Sequence, residues 1–282
     1  MRCPGCRVQA PTHVHLRARD AVLVRCAACG LVRVDPWPTR EQVLALYGPT
    51  YLADAGRGYV DYVGDEPLFA REMRRRLTAL EGLGVAGPGR RLLDIGCASG
   101  VLLTEARRRG MVATGLEPHP DVARLAAGRS GVPVSAVPVD RALLAAGSRD
   151  LITMFDVLEH LVDPRDALER ARLAVLPDGA VALTVPDFGG WWARVSGARW
   201  PFVTPWEHLT YFSRATLVRL LEAAGFGHVQ FLHARTPCSW ATLGTRLLGR
   251  APVGGRGRGV LLPFGTLFAV ARSATGDGTA AA

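Results

Sequence analysis

The sequence predicts an α/β fold in which a largely parallel sheet of seven strands carries helices on both faces, with a small cysteine module in front. The chain has 282 residues and 49% hydrophobic content, enough to bury one large core beside a small appendage. From residue 90 onward, short apolar runs alternate with amphipathic stretches, which is typical of strand–helix repeats. Near the N-terminus, four of the six cysteines fall in two C-x-x-C pairs.

The predicted elements divide the chain into four parts. The strands cover residues 91–95, 112–116, 132–135, 150–154, 181–185, 229–233 and 267–271. The helices cover residues 100–109, 120–127, 164–176 and 213–224. The last two strands are expected to form a reversed pair, separated by a long insert. The parts are a zinc-ribbon-like domain at 1–36, a helical linker and lid at 37–89, the α/β domain at 90–272 with its insert at 234–263, and a disordered tail at 273–282.

The linker and lid contain two predicted helices. Thr39 and Gln42 have the spacing of a capping box, which predicts a short helix over residues 39–47. Residues 48–64 are rich in Gly and Tyr and are expected to form a loop. A longer helix is predicted over residues 65–83, and a glycine-rich run then leads to the first strand of the α/β domain.

The two cysteine pairs predict a structural zinc site. Two residues between cysteines let both thiolates of a tight turn face one ion, so two pairs can fill a tetrahedral shell. The predicted ligands are Cys3, Cys6, Cys26 and Cys29. The competing reading is a redox motif, but that motif begins a helix in a βαβ unit, and neither pair has that context. A closed four-cysteine shell has no open position, so this site is expected to do no chemistry.

The net charge of +9 raises the question of a nucleic-acid partner. Every basic residue is Arg, and the charges are scattered; the densest runs, 74–76 and 107–109, lie inside predicted helices, where a solvated face is the ordinary reading. No signal-peptide pattern and no membrane-length apolar stretch is evident, which predicts a cytoplasmic protein. The apolar face of the insert at 234–263 is compatible with a dimer contact or with closure of the lid.

The stretch LLDIGCASG, residues 92–100, predicts a ligand loop. An apolar strand delivers Asp94, and Gly96 and Gly100 bracket a tight turn that opens the next helix. The next strand ends in Glu117, a carboxylate suited to accepting both hydroxyls of a ribose. Because the loop reads D-x-G-x-x-x-G and lacks the pyrophosphate fingerprint G-x-G-x-x-G, an adenosyl ligand without phosphates fits better than a dinucleotide.

These motifs resemble the class I S-adenosylmethionine-dependent methyltransferases, whose fold is a Rossmann-like sheet of seven strands. The resemblance covers about residues 83–272 and rests on LLDIGCASG, GLEP, ITMFDVLEHLVDP and LPDGAVALTVP. The leader, with CAACGLVRVDPWPT and LYGPTY, is similar to a subgroup linked to methylation of sugars, polysaccharides and secondary metabolites. The resemblance implies that S-adenosylmethionine is held by Asp94, Gly96, Cys97, Gly100, Glu117, Asp140 and Asp156. One departure is Ala98-Ser99, where the family often has Gly-Thr or Gly-Ser.

Two histidines are candidates for proton transfer from the acceptor. His160 lies in D-x-x-E-H, which resembles the E-x-x-E-H segment that supports a divalent metal in ubiquinone-pathway O-methyltransferases. Three roles remain open for this segment. Asp156, Glu159 and His160 could bind a second divalent metal, or Glu159 and His160 could cap and orient the loop. His160 could also accept or donate a proton in the reaction. His208 lies in WPFVTPWEHLTYFS, an aromatic segment expected to cover the acceptor pocket, and is the preferred general base.

The function predicted from these features is O-methylation of a small molecule or glycan. An RNA or protein methyltransferase that grips a macromolecule with its zinc ribbon is one alternative, although no Asn-Pro-Pro-Tyr-type motif follows the fourth strand. A non-catalytic protein that binds the cofactor is another, and the intact set of acidic and glycine residues argues against it. Nucleic acid is therefore an unexpected partner, and a small-molecule or glycan acceptor is the expected one.

Overall fold

The computed structural model describes residues 1–18, 21–46, 65–240 and 259–273. The predicted loop at 48–64, most of the insert and nearly all of the predicted tail lie outside the described residues. The strands are β1 (Thr12–Ala18), β2 (Ala21–Cys26), β3 (Val32–Asp35), β4 (Arg91–Ile95), β5 (Val112–Leu116), β6 (Val134–Ser135), β7 (Arg149–Phe155), β8 (Val175–Pro186), β9 (Thr210–Tyr211), β10 (Phe226–Leu232), β11 (Thr236–Ser239), β12 (Gly259–Leu262) and β13 (Thr266–Ser273). The helices are α1 (Arg40–Leu46), α2 (Glu66–Gly82), α3 (Val101–Arg108), α4 (Pro120–Ser130), α5 (Pro164–Ala174), α6 (Trp191–Ser196) and α7 (Arg214–Ala223), with 3-10 turns at Leu158–His160 and Gly197–Arg199.

The described part of the chain forms a seven-stranded sheet with the order β10-β13-β8-β7-β4-β5-β6. Five neighbouring strands, β8, β7, β4, β5 and β6, are parallel. β13 runs antiparallel to both of its neighbours, β8 and β10. The sheet is therefore mixed, and the expected reversed pair reduces to one reversed strand, β13, inserted between β8 and β10. The predicted α/β fold with seven strands is confirmed.

The sheet separates two hydrophobic layers because neighbouring residues on a strand face opposite sides. Leu93 and Ile152 pack with residues of α5 and α7. Leu92 and Leu151 pack with residues of α2 and α3 on the other side. Strands buried on both faces are continuous apolar runs, which is why β4 and β5 have the bounds that the sequence predicts.

The N-terminal strands form a second sheet that includes a strand from much later in the chain. β1, β2 and β3 are antiparallel, and β9 pairs with β3 through Val32–Tyr211 and Arg33–Thr210. A third hydrophobic cluster joins Leu23 and Val34 to Trp200 and Leu209. The N-terminal residues are thus packed against the segment that the sequence analysis assigned to the acceptor pocket. In the described residues, no helix combines the length and apolar character needed to cross a bilayer.

Candidate active site

The loop between β4 and α3 is fixed by its backbone. The N–H groups of Gly96 and Cys97 donate to the carbonyl oxygen of Leu116, at 2.8 and 3.1 Å, which ties the loop to the end of β5. Gly96 has φ +72°, and a Cβ atom there would lie 2.5 Å from Cγ2 of Val157. Only glycine fits this position, so the loop presents bare backbone at the carboxyl edge of the sheet.

Glu117, at the end of β5, lies against this loop. Its two carboxylate oxygens accept hydrogen bonds from the N–H groups of Ala98, at 3.1 Å, and His119, at 3.2 Å. Burial raises the pKa of Glu117, and the two N–H donors oppose that shift. Ala98 adopts φ +46°, a region that glycine favours, which accounts for the glycine that the family often has there. The carboxylate is held in place and lines a cavity.

Asp94, which precedes the loop, and Cys97 and Gly100, which belong to it, do not line that cavity. The hydroxyl of Thr153 donates to Oδ1 of Asp94 at 2.7 Å. Burial, reinforced by the nearby charge of Glu117, raises the pKa of Asp94 to about 7. The sulfur of Cys97 fills the space beside Gly115, where a Cβ atom would lie 2.8 Å from it. Asp94 and Cys97 therefore make buried contacts with the neighbouring strands.

A main cavity of about 320 Å³ connects the predicted cofactor and acceptor residues. Its cofactor side includes Gly96, Glu117, Asp140 and Asp156. Its other side includes His160, Phe202, Glu207, His208 and residues of β11. Arg40 of α1 forms an ion pair with Asp140 and also lines the cavity, so α1 is attached to the cofactor side.

Arg76 of α2 is a cavity residue that the sequence analysis missed. Its side chain is only 2% exposed and forms a salt bridge with Glu72 at 3.3 Å. Its Nη1 donates to Oγ1 of Thr184 at 3.2 Å and lies 3.8 Å from Oδ2 of Asp156. Its Cζ lies 4.7 Å from the centre of the Phe155 ring. The cavity therefore has a fixed positive charge beside the end of β7.

The two candidate histidines lie together. The rings of His160 and His208 have their centres 4.8 Å apart in an edge-on arrangement. Nδ1 of His160 lies 2.9 Å from the carbonyl oxygen of Glu207, and Nδ1 of His208 lies 2.8 Å from that of Phe202. Because a carbonyl only accepts, each ring carries a proton on Nδ1, and a neutral ring then has its basic lone pair on Nε2.

Glu159 and the two histidines form a cluster. Burial and the neighbouring His208 lower the pKa of His160 to about 3, so this ring is neutral at pH 7. Glu159 is 1% exposed, and neither carboxylate oxygen has a hydrogen-bond partner in the described residues. Burial, with a smaller contribution from Asp156, raises its pKa well above the usual range.

Potential ligand atoms of Glu159, His160 and His208 lie within 4.8 Å of one another. The trio that converges thus differs from the predicted Asp156, Glu159 and His160. Asp156 is outside this group, and its carboxylate lies near Arg76 instead.

Most aromatic residues of the segment at 200–213, which is predicted to cover the acceptor pocket, pack against other parts of the fold. Trp200, Tyr211 and Phe212 are buried at 1–3% exposure, whereas Trp192 and Phe202 line the main cavity. Trp206 is 44% exposed and does not line it. The acceptor side therefore has a small number of aromatic contacts.

The four N-terminal cysteines converge. Sγ of Cys3 lies 3.7 Å from Sγ of Cys29, Sγ of Cys6 lies 3.9 Å from Sγ of Cys26, and all four lie within 4.8 Å of one another. A tetrahedral shell with Zn–S bonds of about 2.3 Å has sulfur–sulfur edges of about 3.8 Å. A disulfide needs about 2.05 Å, so the spacing fits four metal ligands and does not fit two disulfides.

Short contacts link the cysteine cluster to the histidines. The guanidinium of Arg219, on α7, donates to the carbonyl oxygen of Cys29 at 2.9 Å. The N–H of Val34 donates to the carbonyl oxygen of Leu209, and the N–H of Leu209 donates to that of Glu159, at 2.9 and 2.8 Å. The backbone next to His208 is therefore held between β3 and the turn that contains His160.

Comparison with known proteins finds a matching family and several curated relatives. The family model described as "Methyltransferase domain" matches residues 65–230. A ubiquinone biosynthesis O-methyltransferase of Bordetella avium is 37% identical over 112 residues, which is 38% of this chain and 46% of that protein. That of Escherichia fergusonii is 34% identical over 121 residues, 40% of this chain and 50% of that protein. The chain spans about half the length of the curated relatives it matches.

The solved structures support the fold. The 1,6-didemethyltoxoflavin-N1-methyltransferase of Burkholderia thailandensis, solved with 1,6-didemethyltoxoflavin and S-adenosylhomocysteine, has a TM-score of 0.55 and 18% identity, and the match covers 93% of this chain and 99% of that one. A possible histamine N-methyltransferase of Thermotoga maritima has a TM-score of 0.52 and 19% identity, with 73% and 90% covered. The family model covers more than half of the chain, so the chain belongs to the family described as "Methyltransferase domain".

Proposed function

We propose that this methyltransferase transfers the methyl group to a hydroxyl oxygen of a small molecule or glycan. The observation that carries the proposal is the main cavity, in which the glycine loop and Glu117 face the same space as the pair His160 and His208. O-methylation needs a base that removes the proton of the acceptor hydroxyl and a methyl donor held close to the oxygen. The relatives named for ubiquinone biosynthesis act as O-methyltransferases, which favours oxygen as the acceptor atom.

The cavity residues fit the cofactor. The bare backbone at Gly96 allows close approach, the carboxylate of Glu117 suits a ribose diol, and Asp140 would flank the adenine. Arg76 offers a cation for the carboxylate of the methionine part, beside Asp156. When bound, S-adenosylmethionine supplies an electrophilic methyl group on a sulfonium.

His208 is the general base in this proposal. Nε2 of His208 takes the proton of the acceptor hydroxyl as the oxygen takes the methyl group, and the carbonyl of Phe202 holds the ring in the required tautomer. His160 is a weak base, since burial and the neighbouring His208 lower its pKa to about 3, and it contacts His208 edge-on. Its proposed role is to position His208.

An acceptor screen that follows conversion of the cofactor to S-adenosylhomocysteine tests the activity. With an accepted alcohol, His208→Gln is expected to lower kcat about 10²- to 10⁴-fold with little change in cofactor affinity. His228→Gln is the matched control, since His228 lies on β10 and does not line the main cavity. An unchanged kcat in His208→Gln would remove this residue from the mechanism.

A divalent metal held by Glu159, His160 and His208 is the second candidate for activating the hydroxyl. Two histidines and a carboxylate form a known metal-binding set, and the unpaired carboxylate of Glu159 supports it. A metal would use the histidine lone pairs, so the two mechanisms exclude each other. Activity that returns to chelated enzyme with Mg²⁺ or Mn²⁺, while the N-terminal metal stays bound, would favour the metal.

We further propose that Cys3, Cys6, Cys26 and Cys29 bind one structural zinc ion. The sulfur spacing supports this, and a closed shell assigns the ion to folding. Metal analysis of the purified chain should give one zinc per chain. Replacing Cys3 and Cys6 with Ser should abolish it, whereas replacing Cys97, which belongs to the glycine loop, should leave the zinc content unchanged.

Two other functions make different predictions. A non-catalytic binding protein would bind S-adenosylmethionine and turn over no acceptor. An RNA or protein methyltransferase would require the cysteine module for macromolecule binding. Calorimetric titration with S-adenosylhomocysteine is the first test, because absence of binding would contradict every enzymatic reading.

A further inference from the structure

A second cavity of about 230 Å³ lies beside the main cavity. It opens at the same edge of the sheet, between the ends of β8 and β10 and the start of β13. Trp192 and Thr266 line both cavities, so the two spaces share one wall. A molecule that extends past Trp192 from the main cavity would enter the second one.

The charged side chains that line the second cavity include Asp187 and Arg214. Burial raises the pKa of Asp187, and the charge of Arg214 opposes that shift, which places the two groups in one electrostatic environment. The N–H of Gly190 donates to the backbone carbonyl oxygen of Asp187 at 3.2 Å, and a Cβ at Gly190 would lie 2.8 Å from Oδ2 of Asp187. Arg214 is held with its Cζ 4.7 Å from the centre of the Phe231 ring.

The aromatic wall is formed by Trp191, Trp192 and Phe264. The ring of Phe264 lies 5.3 Å from the rings of both tryptophans. Gly265 has φ +95°, and a Cβ there would lie 2.8 Å from Cζ3 of Trp192, so the turn before β13 is shaped to fit this indole. Trp191 is 61% exposed, so much of its indole is open to solvent beside the cavity.

We propose that the second cavity binds a second hydroxyl-bearing ring of the acceptor, a glycosyl unit, while the ring to be methylated lies in the main cavity. This inference rests on the proposed O-methylation. The carboxylate of Asp187 accepts hydrogen bonds from hydroxyls, the guanidinium of Arg214 donates to them, and the indole of Trp191 offers a flat face to the C–H side of the ring. The acceptor is then a disaccharide, a longer glycan or a glycosylated small molecule.

Binding of defined sugars to the full chain saturated with S-adenosylhomocysteine tests this subsite. The probes are methyl glycosides of glucose, galactose, mannose and rhamnose, and the disaccharides built from them. At least one disaccharide is expected to bind about three- to tenfold more tightly than its monosaccharide, from the stacking contribution of one aromatic ring. Trp191→Ala should reduce that ratio to about 1 and leave the affinity for S-adenosylhomocysteine unchanged.

Trp206→Ala is the matched control, because Trp206 is an exposed tryptophan that lines neither cavity, and it should keep the ratio. Asp187→Asn, which keeps the size of the side chain, should lower disaccharide affinity alone. A ratio that Trp191→Ala does not change, or the absence of any preference for disaccharides, would overturn the subsite. Methylation of a non-glycosylated alcohol with no sugar binding would leave O-methylation standing and remove only this inference. Failure to bind S-adenosylhomocysteine would remove the proposed function itself.

Discussion

Asp94 shows how burial at a single residue sets a pH dependence of stability. Its folded pKa of about 7 lies above the value of about 3.9 for an aspartate in an unfolded chain. The folded chain therefore binds more protons at this carboxyl group between these values, and the contribution of Asp94 to the free energy of unfolding falls as the pH rises from 4 to 8. Asp94→Asn should flatten this slope, which urea unfolding at pH 5, 6, 7 and 8 would measure.

Asp150→Asn is the control for this prediction. Burial opposes the shift, but hydrogen bonds from Arg91 and Arg90 hold the pKa of Asp150 below its usual value. Because its pKa is lowered on folding, Asp150 is ionised in both states at higher pH, and the substitution should not alter the slope between pH 5 and 8. The same slope in Asp94→Asn and in the unsubstituted protein would contradict the assignment. Glu117 and Glu159 have raised pKa values too, so a part of the slope should remain.

Arg76 belongs to a run that the sequence analysis read as a solvated face. Arg74 and Arg75 fit that reading, with side chains 49% and 44% exposed, whereas Arg76 is 2% exposed. An i,i+4 pair such as Glu72 and Arg76 is equally typical of a helix surface, so the pair alone does not reveal burial. The available signal was helical spacing, because Arg76 follows Phe69 by two turns and precedes Leu80 by one, and both of those residues are buried.

Single and double variants test the buried pair. Arg76→Met leaves Glu72 charged and without its buried partner, and it should lower the free energy of unfolding by about 3–5 kcal/mol. Adding Glu72→Leu should restore at least half of that loss, because an apolar pair avoids the desolvation of both charges. Arg75→Met, which removes an exposed partner of the same glutamate, should change stability by less than about 1 kcal/mol. A double variant that is as unstable as Arg76→Met would contradict this explanation. Denaturant unfolding of the unsubstituted protein and of the three variants measures these differences.

At the level of elements, the strands that could be predicted from the sequence are buried ones with a clear apolar pattern. Elements that depend on a partner far away in the sequence could not be predicted. β4 and β5 could be read from the sequence because both faces of each strand are apolar. β9 has two residues and no periodicity of its own, and its partner β3 lies far away in sequence. α6 was missed because its six residues are too few to show a helical period. The zinc and site predictions used side-chain chemistry, whereas the attachment of β3 to the acceptor side needed the tertiary structure.

The pairing of β3 with β9 predicts that the proposed zinc stabilises the proposed acceptor side of the main cavity more than its proposed cofactor side. Removing the metal should loosen the turns that hold β3, and the bonds Val34 to Leu209 and Leu209 to Glu159 would weaken with them. Hydrogen–deuterium exchange should accelerate in peptides that cover residues 205–212 and stay nearly constant in those that cover 112–118. Adding zinc back is the control and should restore protection. Equal acceleration in both peptides would contradict this coupling.

In the described residues, arginines of the two densest basic runs form contacts between helices. Arg74 and Arg108 both pair with Glu105, and Arg109 pairs with Glu81, so the two densest arginine runs join α2 to α3. Arg107 donates to the carbonyl oxygen of Ser130 at the end of α4. Guanidinium groups held in this way are poorly placed to form a continuous stripe along a phosphate backbone.

The protein is therefore expected to bind RNA weakly in spite of its net charge. Fluorescence anisotropy with a 20-nucleotide RNA, single-stranded and duplex, should give dissociation constants weaker than about 10⁻⁴ M near physiological salt. The logarithmic salt slope should be shallower than about −2, which corresponds to about two phosphate contacts. The control is the same titration after zinc removal, which should change nothing. Micromolar binding with a steep slope that disappears with the zinc would contradict this expectation, because it would make the cysteine module an RNA-binding element and favour a macromolecular acceptor.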